Sequence, residues 1–273
     1  MNSYQATAVS EFGGPLRIGE HLRQWRQRRH LSQLDLAGEA EISARHLSFV
    51  ETGRAAPSRD VVLRIAERLN VPLRERNVLL VAAGFAPAFP QRPLDDPALK
   101  SARGAIELVL RAHEPSPALA YDRHWNLVSA NRMVGPLLAD IPPRLLGPPV
   151  NILRLALHPE ALAGRTVNLA EWASHLLERL HRQCEATADP HLLALYRELK
   201  SYPIPARSAP LPPDNVAIPF KLRFDGDVLS FMSATMIFGT PIDITLSELA
   251  LETFFPADEF TAGRLRELAA DLR

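Results

Sequence analysis

Residues 32–58 read SQLDLAGEAEISARHLSFVETGRAAPS, and their caps and apolar spacing decide the architecture of the N-terminal part of the chain. Ser32 precedes a helix-forming run, SQLDLAGEA, and suits an N-cap because a serine hydroxyl accepts from the free amides of a first turn. Ser43 repeats the device after the short connection EAEIS, and Ile42 before it is placed to pack on Leu47 as a hydrophobic staple. Two boundary signals thus agree on one helix start, and Gly53 supplies the stop. On this second helix Leu47 and Val50 face inward, leaving Ala44, Arg45, His46, Ser48 and Phe49 turned outward. A solvent-facing flank on the second of two short helices is what a recognition helix offers to the DNA major groove.

Flanking segments complete an all-α unit. Ile18, Leu22 and Trp25 fall at i, i+4 and i+7, the buried stripe of a first helix ending near His30. After PSRD, the residues Val61, Val62, Ile65, Ala66 and Leu69 give a fourth stripe, and a fifth helix runs from about Leu73 to Ala83. The spacing therefore predicts a five-helix domain over 15–84, preceded by a flexible tail over 1–14 without periodicity. The proline-rich FAPAFPQRPLDDP, residues 85–97, reads as a linker, and 98–273 form a second domain.

Charge divides along the same boundary. The chain as a whole is neutral, with 31 basic and 31 acidic residues. Between Pro15 and Gly84, however, 12 arginines face 8 acidic residues, a net of +4, which leaves −4 for the rest. Affinity for a polyanion is expected in the first domain. No apolar run approaches the roughly 20 residues needed to span a bilayer, and the N-terminus lacks the pattern of a signal peptide, so a cytoplasmic protein without membrane contact is expected. The single cysteine, Cys184, builds neither a disulfide within the chain nor a zinc site alone, and reads as helix surface or packing.

In the second domain a helix is expected near Ser101 to Ala112. ALAYDRHWNLVSAN follows, with a turn at Asp122 to His124 between two short strands. Leu169, Trp172, Ala173, Leu176, Leu177 and Leu180 mark an amphipathic helix, and Leu192, Leu195, Tyr196 and Leu199 another. Val216 to Phe238 is strand-like, and Asp225-Gly226 between alternating runs signals a hairpin. Helices with an antiparallel sheet make an α+β domain.

LSQLDLA, ISARHLSFVETGRAAPS and IAERLNVP together resemble the XRE, lambda-repressor-like, helix-turn-helix family across residues 18–72. That resemblance implies a double-stranded operator as partner and assigns roles along the reading surface. Arg45 is implied as the bidentate contact to a guanine, and apolar Ala44 and Phe49 as contacts to thymine methyls, although Phe49 equally reads as packing on its own domain. Gln33 is implied at a phosphate or base edge at the start of the second helix. Ser32, Ser43, His46, Ser48, Thr52, Arg54 and Arg59 are implied along the DNA backbone. Arg26 and Glu51 are implied as a structural ion pair between the first and recognition helices, and Arg28 and Arg29 read as solvated charge. One such unit reads few bases, so a homodimer on half-sites about 34 Å apart, or a multiple of that, is expected.

Beyond the linker, PLDDP, PALAYDRHWNLVSANR and FGTPIDITLSELALETFFPAD resemble regulators with an MmyB-like ligand-binding domain. The resemblance implies a PAS-like fold, a small antiparallel sheet flanked by helices, and a small apolar, fatty-acid-like effector with no other cofactor. Phe220, Phe224, Phe231, Met232, Met236, Ile237 and Phe238 gather on or near the expected hairpin, with Trp125 and Trp172 on segments placed to pack against it; such a stripe serves as a cavity wall or as plain core. Arg154 and His158 are placed to meet a carboxylate or lie at the surface, and Asn131 to cap a following helix. An alternative is a protein-interaction or dimerisation module without a small-molecule ligand. Catalysis is not expected: His113, His158, His175, His181 and His191 show no H-E-x-x-H or comparable metal spacing, His175 and His181 fall on different helix faces, and no phosphate loop or nucleophile elbow occurs. No metal site is expected on these grounds.

Overall fold

The computed structural model of the chain describes residues 17–206, 218–239 and 241–272. The expected tail over 1–14 and the first residues of the strand-like region from Val216 lie outside the described residues. The chain divides into two compact units: one reaches Arg92 and includes Ile242–Ile244, the other runs from Pro93 to Pro241 and resumes at Thr245.

The first unit contains α1 (Ile18–Arg28), α2 (Gln33–Glu39), α3 (Ala44–Glu51), α4 (Arg59–Arg68) and α5 (Leu73–Ala82). Ser32, Ser43 and Ser58 cap α2, α3 and α4 through bonds from the amide three residues on. Every one of the five helices ends in the same way. A residue at positive φ (His30, Glu41, Gly53, Asn70 and Gly84) turns the chain, and the next amide returns to a carbonyl of the last turn, as from Leu31 to Arg26 and from Arg54 to Phe49. These are Schellman endings, and they keep the connections short. Leu22, Trp25, Leu36, Leu47, Val50, Ile65, Leu69, Leu79 and Leu80 form the buried core. The first half of the expected linker is fastened to this unit. The buried Asn77 side chain accepts from the amides of Ala88 and Phe89 and donates to the Phe89 carbonyl.

The second unit contains α6 (Lys100–Ala112), β1 (Ala118–Tyr121), β2 (Leu127–Ala130), α7 (Val134–Leu138), α8 (Ile152–Leu157), α9 (Leu169–Thr187), α10 (Pro190–Lys200), β3 (Phe220–Phe224), β4 (Asp227–Ile237), β5 (Ala250–Pro256) and α12 (Glu259–Asp271); the short α11 (Ile244–Ser247) precedes β5. The strands form one antiparallel sheet in the order β2-β1-β5-β4-β3, the PAS-like α+β arrangement. Asp225 and Gly226 join β3 to β4 with positive φ at both positions, as a two-residue hairpin turn requires.

β5 lies at the centre of the sheet and had no signal in the sequence reading, because Ala-Leu-Glu favours helix and its strand character arises from pairing with β1 and β4 on either side. β1 is buried along its whole length. Its alanines, Ala118 and Ala120, pack on Ile106 and Leu110 of α6, while Leu119 and Tyr121 face the larger core against α9 and α10. Among the described residues no helix is long and apolar enough to cross a membrane.

Candidate DNA-reading face and ligand cavity

The recognition helix is placed by one buried ionic knot. Arg26 of α1 donates from Nε and Nη2 to the two carboxylate oxygens of Glu51 at 2.7 and 2.8 Å, and from Nη1 to the Leu31 carbonyl at 2.9 Å. Gln33 of α2 donates to Glu51 Oε2 at 2.8 Å, so three helices converge on one carboxylate at the end of α3. The bonds Arg26 donates to Glu51 raise its already high pKa against the opposing effect of burial. Gly19 lets α1 approach this end of α3: a Cβ there would stand 2.3 Å from the Val50 carbonyl oxygen and 2.7 Å from that of Glu51. This is a close-approach glycine, required by sterics and not by backbone angle.

The structure sorts the sequence-derived DNA contacts by where they point. Ser43, Arg45, Thr52, Arg54 and Arg59 are exposed, and His46 and Ser48 are half-buried on the same helix region. Ala44 is not simply outward: it packs partly on the apolar core, because it shares a helix face with Leu47 three positions on. Phe49 is half-buried but lies outside that core cluster, with the Arg45 guanidinium 5.3 Å from its ring centre. Arg45 and Phe49 therefore form a cation–π pair at i, i+4 on the free flank. Some polar groups have internal duties. The Ser32 hydroxyl donates to Asp35 at 2.6 Å while accepting from its amide, which lowers the Asp35 pKa. Thr52 donates to the Ser48 carbonyl at 2.7 Å, and the Gln33 amide is held by Glu51. Arg28 and Arg29 both lie over the Trp25 ring, and Arg29 also donates to the Leu69 carbonyl, so these two are packed as well as charged.

In the second unit α7, α8 and α9 roof the inner face of the sheet and leave a partly open cavity of about 100 Å³. Trp125, Trp172, Phe220 and Phe231, expected from the sequence, all line it, together with Leu119, Leu176, Leu222 and Phe254. Two charged residues reach the same wall: Arg179 of α9 and Glu252 of β5. Arg179 donates to Glu252 at 3.0 Å, to Thr235 at 2.7 Å and to the Tyr121 hydroxyl, and its guanidinium lies 4.8 Å from the Trp125 ring centre. Tyr121 stacks on Trp125 with ring centres 4.8 Å apart. Burial pushes the Tyr121 phenol far above its usual range, with the Arg179 charge opposing and Glu252 assisting. An apolar chamber with one ionic, hydrogen-bonding end is the result.

The other four residues expected at a ligand lie elsewhere. Asn131 is buried, accepts from the Ala118 amide and donates to the Leu110 and Ser116 carbonyls; it satisfies backbone groups where α6 meets β1 and does not cap α7. Arg154 is spent on a two-pronged ion pair with Glu198 at 2.7 and 2.8 Å. His158 packs edge-on against Tyr202, whose hydroxyl donates to Glu198; burial and that carboxylate push the Tyr202 pKa up to about 12. Met236 is 40% exposed, because on β4 the inward parity belongs to Leu229 and Phe231. Arg179 was within reach of sequence reasoning, seven positions after Trp172 and three after Leu176 on the buried face of α9. Glu252 was not, since its strand was not apparent. Cys184 is buried, and burial raises its thiol pKa, an environment for packing and not for reactivity. Elsewhere, His124, Asp189 and His191 bring three potential metal-ligand atoms within 4.8 Å of one another. His124 and Asp189 are 65 residues apart in the chain, so no local spacing announced them.

A capped reading helix on a basic all-α scaffold, in a chain whose second unit contains an apolar chamber, defines a DNA-binding transcription regulator with a domain of the ligand-binding type. Residues 102–268 match the MmyB-like transcription regulator ligand binding domain and residues 17–79 match a helix-turn-helix domain, and the chain belongs to the MmyB-like family of transcription regulators. The HTH-type transcriptional regulator DdrOP3 of Deinococcus deserti is 35% identical over 89 residues, which span 31% of this chain and 69% of that protein. Among solved structures, the clp gene regulator ClgR from Corynebacterium glutamicum is similar at 22% identity, covering 36% of this chain and 90% of that one with a TM-score of 0.22. An RNA-binding Light-Oxygen-Voltage receptor is similar at 14% identity, covering 93% and 63%, with a TM-score of 0.24.

Proposed function

We propose that this regulator acts in the bacterial cytoplasm as a homodimer whose second domain binds a small apolar, fatty-acid-like molecule, and that occupancy changes its affinity for an operator. The observation that carries the reading is the chamber itself, apolar over nearly all its wall and ending at Arg179 and Glu252. A ligand with an apolar tail and a polar head matches that division. At about 100 Å³ the chamber is smaller than an ordinary ligand pocket of about 300–1,000 Å³, so a medium-chain acid enters only if the roof of α7 and α8 yields. Such yielding is how a ligand changes an equilibrium: it must bind one arrangement better than the other.

Mass spectrometry of small molecules released from the purified full chain tests the ligand, and operator affinity measured with and without a medium-chain fatty acid tests the coupling. Superimposable binding curves and no released molecule would sink the sensing reading and favour the interaction-module alternative, which the exposure of Met236 and Phe255 on neighbouring strands supports.

On the DNA side we assign base readout to Arg45 and backbone contacts to Arg54 and Arg59, all exposed around α3. Arg45→Ala is expected to reduce discrimination at one guanine by about 1–3 kcal/mol. Gel shifts on operator variants check it, and an unchanged base preference would move readout off this flank.

A further inference from the structure

His124 sits in the β1–β2 turn, and Asp189 and His191 open α10. His124 Nε2 is 2.9 Å from Asp189 Oδ2, His191 Nδ1 is 3.3 Å from Asp189 Oδ1, and the two imidazole rings are 5.1 Å apart. A tetrahedral zinc ion with bonds of about 2.0–2.2 Å sets its donor atoms roughly 3.3 Å from one another. Each imidazole approaches that spacing on its own oxygen of Asp189, one donor atom from each of the three residues lies within 4.8 Å of the other two, and His191, its side chain 77% exposed, can turn to close the remainder.

The other two ligands are held by their backbones. Asp122 Oδ1 accepts from the amides of His124 and Asn126, at 2.8 and 2.9 Å, and the Asn151 amide group donates to the His124 carbonyl at 2.8 Å. Asp189 caps α10 with Oδ1, which accepts from the His191 amide at 2.8 Å, so that Oδ2 is the oxygen turned toward His124. Burial works to raise the Asp189 pKa, but the bonds from His124 and the His191 amide, with the Arg123 charge, hold it well below the usual carboxylate range.

We propose that His124, Asp189 and His191 form a binding site for a divalent transition ion, Zn2+ foremost, with water in the fourth position. Two imidazoles and one carboxylate suit zinc, cobalt or nickel, whereas calcium and magnesium select all-oxygen sets. Binding moves the His124 proton from Nε2 to Nδ1 and replaces the Nε2–H bond to Asp189 with a bond to the ion. Beside the site Arg123 lies 3.7 Å from Asp189 and 3.8 Å from Glu248, and on binding it remains with Glu248. The ion would clamp the turn that carries Trp125, a wall of the chamber, to the start of α10. The site is separate from the ligand reading and stands or falls without it.

Titration of the chelator-treated full chain with Zn2+ by calorimetry, and with Co2+ by visible absorption, tests the site. One ion per chain is expected, with the intense absorption of tetrahedral Co2+. His191→Ala and His124→Gln are each expected to weaken binding at least tenfold, while His181→Ala, a histidine on the exposed side of α9, leaves it unchanged. Far-UV circular dichroism checks folding, and the exposed position of His191 keeps that variant decisive if His124→Gln misfolds. No stoichiometric ion in the wild type, or wild-type affinity in His191→Ala, would overturn the proposal.

Discussion

Glu51 shows how much a single buried carboxylate can hold in place. Its side chain is 2% exposed and accepts from Arg26 and Gln33, so its removal leaves a guanidinium buried without a counter-charge. Glu51→Ala is expected to cost about 3–5 kcal/mol, whereas replacing both partners with apolar residues, Arg26→Met with Glu51→Leu, recovers most of that loss. Urea denaturation followed through the N-terminal unit decides between them; an unchanged midpoint for Glu51→Ala would show that the knot contributes nothing. His21 sets a pH limit on the same unit. Burial lowers its pKa below 6.5, Glu20 opposing and Arg28 assisting, and its Nε2 has no hydrogen-bond partner among the described residues. The folded state thus refuses a proton that the unfolded chain accepts. The associated stability is present above about pH 6.5 and is lost as the pH falls below it, with a slope under about 1.4 kcal/mol per pH unit. His21→Leu is expected to flatten this acid limb, and a wild-type slope in the variant would exclude His21 as its source.

Between elements, the approach of α1 to α3 depends on a missing methyl group. Gly19→Ala places a Cβ against two backbone carbonyls of α3 that have no rotamer by which to retreat. A loss of about 1–3 kcal/mol is expected, together with weakened operator binding as the recognition helix shifts. Gly38→Ala in α2 is the matched control: nothing lies within 4 Å of the added Cβ, and a gain of about 0.5–1 kcal/mol is expected from helix propensity. Thermal melts of the two variants moving together would refute the close-approach argument. Element boundaries in the first unit were legible because serine caps and Schellman endings are local devices, each complete within about six residues. β5 was illegible for the opposite reason, since its residues carry helical propensity and its ladder partners are more than 100 positions away on one side, as in Leu119 opposite Glu252. The run around Asp225-Gly226 was readable because turn and alternation were both present in one short stretch.

At the scale of the whole molecule, the separation of charge makes the DNA affinity steeply salt-dependent although the chain is neutral overall. The logarithm of the operator binding constant should fall with the logarithm of salt at about 0.9 per phosphate neutralised, and Arg54→Ala or Arg59→Ala should each reduce that slope by about one without altering base preference. Salt titrations with slopes equal to wild type would remove these two arginines from the interface. The sequence by itself determined the all-α reading unit and its outward flank at Arg45, because periodicity and capping act over a few residues; the ion pair of Arg26 with Glu51 was implied only by the family resemblance, and the aromatic stripe was legible only as apolar surface that must be covered, as cavity wall or as core. Only the tertiary structure decided that Arg179 meets Glu252 across 73 residues, that His124 meets Asp189 across 65, and that Asn131 and Arg154 have internal partners in place of a ligand. Those pairings depend on which faces the sheet and helices present to one another. A charged or polar side chain gives no local sign of its partner until the backbone has brought the two within hydrogen-bond distance.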